Sequence, residues 1–284
     1  MRTILSFIFL LCLNACSTFQ PVDLDYAQVK PENRKSVIDY GVYTPPNWSS
    51  EERLPLIVFL HGGGGSQYSF ERYGTPEYLD QEISQGRLPR FILVTPNGDN
   101  GFWENWVDGS KHYRDWVLRD IVPKVRQDYQ TLDCPEHCYL AGISMGGFGA
   151  LRFAYFARQD FSAVSAISAP IFNKQQAQKR KSSILLRLLF PFKRIFGETY
   201  TEDFIRSNPF NAWVENSEQR AMRLQIMWGT KDHKSIIESN EKFHNHLLKH
   251  GVKHDSYVYD GGHKWKYWVP NFGRVIGFLL KDSD

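Results

Sequence analysis

Residues 138–158 read CYLAGISMGGFGALRFAYFAR. Six apolar or small residues, Cys138 to Ile143, suit a buried strand, and Gly146 to Arg158 carry helical periodicity. Between them Gly142-Ile143-Ser144-Met145-Gly146 fits the pattern G-x-S-x-G. A strand that turns abruptly into a helix pushes the central serine hydroxyl into the open, and only small neighbours let the backbone pass so closely. The helix that follows aims its positive end at the same point and favours negative charge developing there. Ser144 is therefore a candidate nucleophile, and Met145 N–H a candidate donor to an oxyanion.

The pattern continues outward in both directions. Leu54–Leu60 (LPLIVFL), Phe91–Thr95 (FILVT), Ala163–Ser168, Leu224–Trp228 and Asp255–Tyr259 are further predicted strands. Tyr113–Tyr129 and Ser235–His250 are predicted helices, the first kinked by Pro123. Strands alternating with helices over this length imply an α/β fold, a mostly parallel sheet with helices on both faces. A serine hydroxyl needs a base, and the base an orienting acid, expected in the order serine, acid, histidine. Asp232 in Gly229-Thr-Lys-Asp232 follows one late strand and His263 in Gly261-Gly-His263-Lys-Trp265 follows the last. Asp260 and His233 are rivals, but Asp260 shares a loop with His263, and His233 breaks the order. His61-Gly62-Gly63-Gly64, after the strand Leu54–Leu60, supplies candidate oxyanion donors in the backbone N–H groups of Gly62 and Gly63. A phosphate-binding loop would need Lys-Ser or Lys-Thr where Ser66-Gln67-Tyr68 stands.

Taken together, His61-Gly-Gly, Pro96-Asn-Gly, Gly142-Ile-Ser-Met-Gly-Gly147, Gly229-Thr-Lys-Asp232 and Gly262-His263 resemble the esterase D, or "putative esterase", branch of the α/β-hydrolases. The likeness runs from about residue 37 to 280. It implies an α/β-hydrolase fold and a serine esterase with no cofactor and no metal, in which Ser144 attacks, His263 moves the proton and Asp232 orients it. An acyltransferase with an alcohol or sugar acceptor, and a non-catalytic binding lipoprotein, are the alternative readings. The ester stays open among sugar-linked, aromatic, siderophore and short acyl classes. Phe102-Trp103-Glu104-Asn105-Trp106 follows the Pro96-Asn-Gly turn, so Trp103 and Trp106 would either stack on a substrate ring or pack their loop.

Outside that core, one positive charge and an apolar run, Ile4 to Leu13, precede Leu13-Asn14-Ala15-Cys16. The run is about half a bilayer span, which suits an export signal, and its end resembles a bacterial lipobox. Residues 1–15 are thus expected to be a signal peptide and Cys16 an acylated first residue. A tether over 16–33 and the esterase domain, 34–284, would follow. Such a protein would be membrane-anchored, facing the periplasm or the surface from the outer membrane. Export lets Cys134 and Cys138, with three residues between them, bridge; zinc lacks a fourth ligand there. His244, His246, His250 and His254 read as a solvated helix face more readily than as a metal site.

A cap insertion is expected over about 173–208. Residues 173–196 hold seven Lys or Arg and no acid, against a net charge of +3 for the 284-residue chain. Ile184, Leu185, Leu188 and Leu189 share one helical face, and a basic amphipathic helix of that kind covers a sheet edge or lies on a membrane. So small an overall charge does not by itself suggest a nucleic-acid binder, and 42% hydrophobic content argues against a disordered chain.

Overall fold

The computed structural model describes residues 24–31, 37–172, 190–197, 201–215 and 222–281. The expected signal, Cys16 and residues 173–189 of the basic segment lie outside them. Eight strands form one sheet in the order β1-β2-β4-β3-β5-β6-β7-β8. They are β1 (Asp25–Val29), β2 (Ile38–Tyr43), β3 (Leu56–Leu60), β4 (Ile92–Pro96), β5 (Cys138–Ile143), β6 (Ala163–Ile167), β7 (Arg223–Lys231) and β8 (Asp255–Gly262). The first two pair antiparallel, β2 also runs antiparallel to β4, and every other pairing is parallel. The chain is an α/β-hydrolase fold, a mostly parallel sheet flanked by helices.

A central strand such as β3 is apolar throughout because both its faces are covered. Leu56, Val58 and Leu60 enter one apolar cluster and Ile57 and Phe59 the other. The first face is covered by the helices Met145–Phe156 and Lys234–Lys249, through Phe148, Leu151, Phe243 and Leu247. The second is covered by Thr75–Ser84 and Phe272–Leu279, through Leu79, Val275, Ile276 and Leu279.

One expectation needs correction, and two features are new. Residues 16–33 are expected as a tether, yet Asp25–Val29 forms β1 at the sheet edge. Its side chains are largely exposed, so it has no apolar run to announce it. Ile38–Tyr43 is a buried strand that Asp39 and Gly41 disguise. The helix expected over Tyr113–Tyr129 is present, and a π-helical stretch, Trp116–Ile121, interrupts it just ahead of Pro123, which lies in the α-helical stretch that follows, Val122–Asp128. A proline has no N–H to give, and here it follows a turn in which the regular i→i−4 ladder is already interrupted.

Of the expected cap, residues 190–197 and 201–208 are described, with helices Phe192–Phe196 and Glu202–Arg206. Phe192 and Phe196 lie against Phe102, with ring centroids 5.4 and 5.7 Å away, and Phe204 stacks on Phe172 at 6.1 Å. Beneath them Arg152 and Glu104 form a buried ion pair, in which Arg152 Nη2 donates to Glu104 Oε2 at 3.0 Å. Arg152 Nη1 also donates to the Phe204 carbonyl at 3.3 Å. Among the described residues no helix is long and apolar enough to cross a membrane.

Candidate active site

Parallel strands deliver the loops that follow them to one edge of the sheet, the edge where α/β folds bind ligands. Here that edge receives His61 after β3, Ser144 after β5, Ser168 after β6, Asp232 after β7 and His263 after β8. Ser144 caps the Met145–Phe156 helix with φ 52° and ψ −121°, a conformation strained for any residue with a side chain. Two close approaches explain the flanking glycines. A Cβ on Gly142 would stand 2.3 Å from the Gly146 carbonyl oxygen, and one on Gly146 would stand 1.9 Å from that of Leu60.

Ser144 Oγ–H donates to His263 Nε2 at 2.8 Å, and His263 Nδ1–H donates to Asp232 Oδ1 at 2.7 Å. The Asp232 side chain is wholly buried. Burial alone would raise its pKa, but hydrogen bonds from His263, from Ser168 and from the Gly229 N–H outweigh it and hold the carboxyl below its ordinary value. The carboxylate is thus ionised at neutral pH. Its second oxygen, Oδ2, accepts from Ser168 Oγ–H at 2.7 Å and from Gly229 N–H at 2.9 Å.

The Ser168 hydroxyl has one proton and gives it to Asp232, so its oxygen accepts from Tyr259 O–H at 2.6 Å. The Tyr259 oxygen in turn accepts from Trp268 Nε1–H at 2.9 Å. Burial pushes the Tyr259 phenol up, so it keeps its proton. The Trp268 ring also meets the His263 ring edge-on, with centroids 4.9 Å apart. Ser168, Tyr259 and Trp268 were not apparent as site residues in the sequence. Ser168 closes an apolar run, and the two aromatic residues carry no motif.

His61 has a definite task. It is buried, and burial drives its pKa down to about 4, so the ring is neutral. Its Nδ1–H donates to the Gly62 carbonyl at 2.8 Å, and its Nε2 accepts from the Gly98 N–H at 3.0 Å. One imidazole therefore ties the glycine loop to the Pro96-Asn-Gly turn. Gly62 borders the nucleophile, since a Cβ there would lie 3.2 Å from Ser144 Cβ, whereas one on Gly63 would meet the Phe190 ring at 2.9 Å. Gly62, Gly63, Ser144 and His263 all line a cleft of about 560 Å³. Met145 begins the helix whose N-terminus faces Ser144.

Other candidates fall elsewhere. Trp103 is fully buried, its Nε1–H donates to the His61 carbonyl at 3.2 Å, and its ring packs on Gly98 and Gly149. Trp106 is buried under the Arg194 guanidinium, 4.9 Å above its ring. Both tryptophans pack their loop; the reading in which they stack on a substrate is corrected, because Trp103 has no exposed surface and Trp106 is buried with its ring face under Arg194. Asp260 is exposed and paired with Lys231 at 2.7 Å, away from His263. The His233 ring lies 5.1 Å from that of His263. Cys134 and Cys138 form a disulfide, which removes both thiolates from zinc chemistry. His246 Nε2–H donates to the Phe210 carbonyl and His250 Nδ1–H to the His246 carbonyl, His244 pairs with His254 at 2.8 Å, and no metal-holding group of His, Cys, Asp or Glu occurs among the described residues.

A family model described as "Putative esterase" matches residues 33–279. An acetyl esterase of Caldicellulosiruptor saccharolyticus is 24% identical over 243 residues, covering 82% of this chain and 86% of the relative. A solved structure of a fluorophosphonate-binding serine hydrolase, FphF of Staphylococcus aureus, superposes with a TM-score of 0.77 at 20% identity, over 93% of this chain and all of the other. The feruloyl esterase module from Clostridium thermocellum, solved with sinapinate, gives a TM-score of 0.69 at 14% identity, over 93% of this chain and 91% of the module.

Proposed function

The chain belongs to the "Putative esterase" family and is a carboxylic ester hydrolase, and from that premise we propose that it works through an acyl-serine intermediate formed on Ser144. In this reading His263 Nε2 takes the hydroxyl proton as Ser144 Oγ attacks the ester carbonyl, and the buried Asp232 carboxylate stabilises the imidazolium that results. The backbone N–H groups of Gly62 and Met145, with Gly63 beside them, would receive the negative charge of the tetrahedral intermediate. His263 returns the proton to the departing alkoxide. Water, activated by the same imidazole, then releases the acid and restores Ser144. Every proton moves through one side chain, so the residues themselves suffice for the cycle.

The observation that carries this reading is the unbroken hydrogen-bonded line from Ser144 Oγ through His263 to Asp232, at 2.8 and 2.7 Å. The neutral His61 ring, holding the glycine loop beside the nucleophile, supports the same assignment. Ser144→Ala is expected to lose turnover of simple acyl esters by on the order of 10⁶ while keeping the wild-type melting temperature. A fluorophosphonate probe is expected to label wild type and not the variant. Retained hydrolysis in Ser144→Ala, or an unlabelled wild-type protein, rejects the assignment. Free acid is the expected product even with added alcohol or sugar; a transferred acyl group would instead mark an acyltransferase.

Cys16 is proposed as the site of a lipid anchor, on the strength of Leu13-Asn14-Ala15-Cys16 closing an apolar run, with delivery to the outer membrane. Palmitate incorporation in the expressing cell is expected for wild type and lost in Cys16→Ser. Incorporation that persists in the variant would refute it.

A further inference from the structure

The cleft above Ser144 has a composition that the reaction itself does not require. Its walls carry three cationic side chains, Arg72, Lys264 and Lys266, and no aspartate or glutamate. All three are exposed. The acid of the site, Asp232, is fully buried behind His263 and faces away from the opening. A concave surface lined by one sign of charge focuses the field and concentrates ligands of the opposite sign.

The cations are also placed around one aromatic feature. Tyr73, the residue after Arg72, stacks on Trp265, the residue between Lys264 and Lys266, with centroids 4.9 Å apart and planes 13° from parallel. Tyr73 is 48% exposed, so this wall meets solvent rather than core. Two short helices bring the groups together. Ser69–Arg72 ends at the first cation, and Trp265–Trp268 starts directly after His263-Lys264. The other two cations, Lys264 and Lys266, thus lie within three residues of the imidazole that meets the nucleophile. A flat apolar face edged by cations suits a planar ring bearing an anion.

We propose that the cleft selects esters whose non-reacting part carries an anionic group on a planar ring, held against Tyr73 and Trp265 and paired with Arg72, Lys264 and Lys266. This selection rests on the hydrolase reading above and names the substrate class of that same site. The cations act by attraction at the cleft mouth and take no part in proton transfer.

The test compares para-acetoxybenzoate with its uncharged isostere para-acetoxybenzamide, measuring kcat/KM for wild type and for the triple variant Arg72→Gln/Lys264→Gln/Lys266→Gln. Dividing the anion-to-neutral ratio of one protein by that of the other cancels the intrinsic reactivities of the two esters. The wild-type ratio is expected to exceed the triple variant's by about tenfold at low ionic strength. It is expected to fall towards the variant's as salt rises to about 0.5 M, where screening shortens to a few ångströms. Equal ratios in the two proteins, or a wild-type ratio indifferent to salt, overturn the proposal. If the uncharged ester is cleaved and Ser144 is labelled by fluorophosphonate while the ratios agree, only the anion preference has failed. If neither ester is cleaved and Ser144 is not labelled, the hydrolase reading has failed with it.

Discussion

Ser168 stands at the end of β6 with φ +50°, and its single proton is directed at Asp232 Oδ2, 2.7 Å away. Behind it Tyr259 and Trp268 each donate forward, so the acid of the site is the terminus of a buried donor chain. A hydrogen bond to an ionised group is worth about 1.5–3 kcal/mol. Ser168→Ala is therefore expected to lower kcat/KM for a simple acyl ester by about ten- to hundredfold. Ser168→Gly discriminates the cause. Glycine accepts φ +50° without strain, so a purely conformational role predicts recovery, whereas a role for the hydroxyl predicts the same loss in both variants. Acid sensitivity supplies a second readout. The Asp232 pKa is lowered in the folded protein, so its stabilising contribution is present above the unfolded carboxylate value, about 3.9, and disappears as pH falls through the folded one. Removing the Ser168 hydroxyl raises the folded value. The melting-temperature gap between wild type and Ser168→Ala should then be widest near neutrality and close below about pH 4; a gap constant with pH would contradict this. The residues that make the line Ser144–His263–Asp232 were readable because each sits in a glycine-marked loop after a predicted strand. Ser168 was not, since a serine closing a strand looks the same whether or not a carboxylate lies beyond it.

Strands buried on both faces were the most readable elements, because nothing polar interrupts LIVFL over Leu56–Leu60 or CYLAGI over Cys138–Ile143. The sheet's antiparallel edge was hidden for the opposite reason: β1 is mostly exposed and β2 is broken by Asp39 and Gly41. Contacts between elements were also out of reach. Glu104 and Arg152 are 48 residues apart, and neither position shows by itself that it is buried. Their pairing clamps the helix that follows Ser144 to the 102–106 loop and, through the Phe204 carbonyl, to the described part of the cap. Leaving one buried charge alone costs about 3–5 kcal/mol, while replacing both partners by apolar residues is often neutral. Glu104→Leu is thus expected to destabilise by about 3–5 kcal/mol, and Glu104→Leu/Arg152→Leu to recover most of it in denaturant melts. A double variant no more stable than the single would mean that the guanidinium bond to the Phe204 carbonyl, rather than the ion pair, holds the clamp. The Ser144 turn imposes a harder limit on this same helix. Because a Cβ on Gly146 would meet the Leu60 carbonyl at 1.9 Å, Gly146→Ala should cost at least about 1–3 kcal/mol and displace the nucleophile as well.

Across the whole molecule the sheet separates two kinds of work along its strand direction. His61, Ser144, Ser168, Asp232 and His263 follow the carboxyl ends of β3, β5, β6, β7 and β8, whereas the disulfide Cys134–Cys138 closes the turn that leads into the amino end of β5. The six residues of β5 hold the bridge and Ser144 apart by about 20 Å of extended chain. Cys138 is fully buried in the first apolar cluster, so the bridge pins the start of the strand that carries the nucleophile at its other end. Closing so short a loop restrains the unfolded chain by about 2 kcal/mol in the chain-entropy view. The sheet ladder then decides what reaches the site. β5 is paired along its length with β3 on one side and β6 on the other, so its carboxyl end is held by those registers independently of the bridge. Cys134→Ala/Cys138→Ala should therefore lose about 2 kcal/mol of stability with kcat/KM on a simple ester unchanged, and wild type treated with a reductant should match it. A fall in kcat/KM that parallels the loss of stability would show that the two ends of β5 are coupled, and that the sheet does not isolate the nucleophile from its far edge.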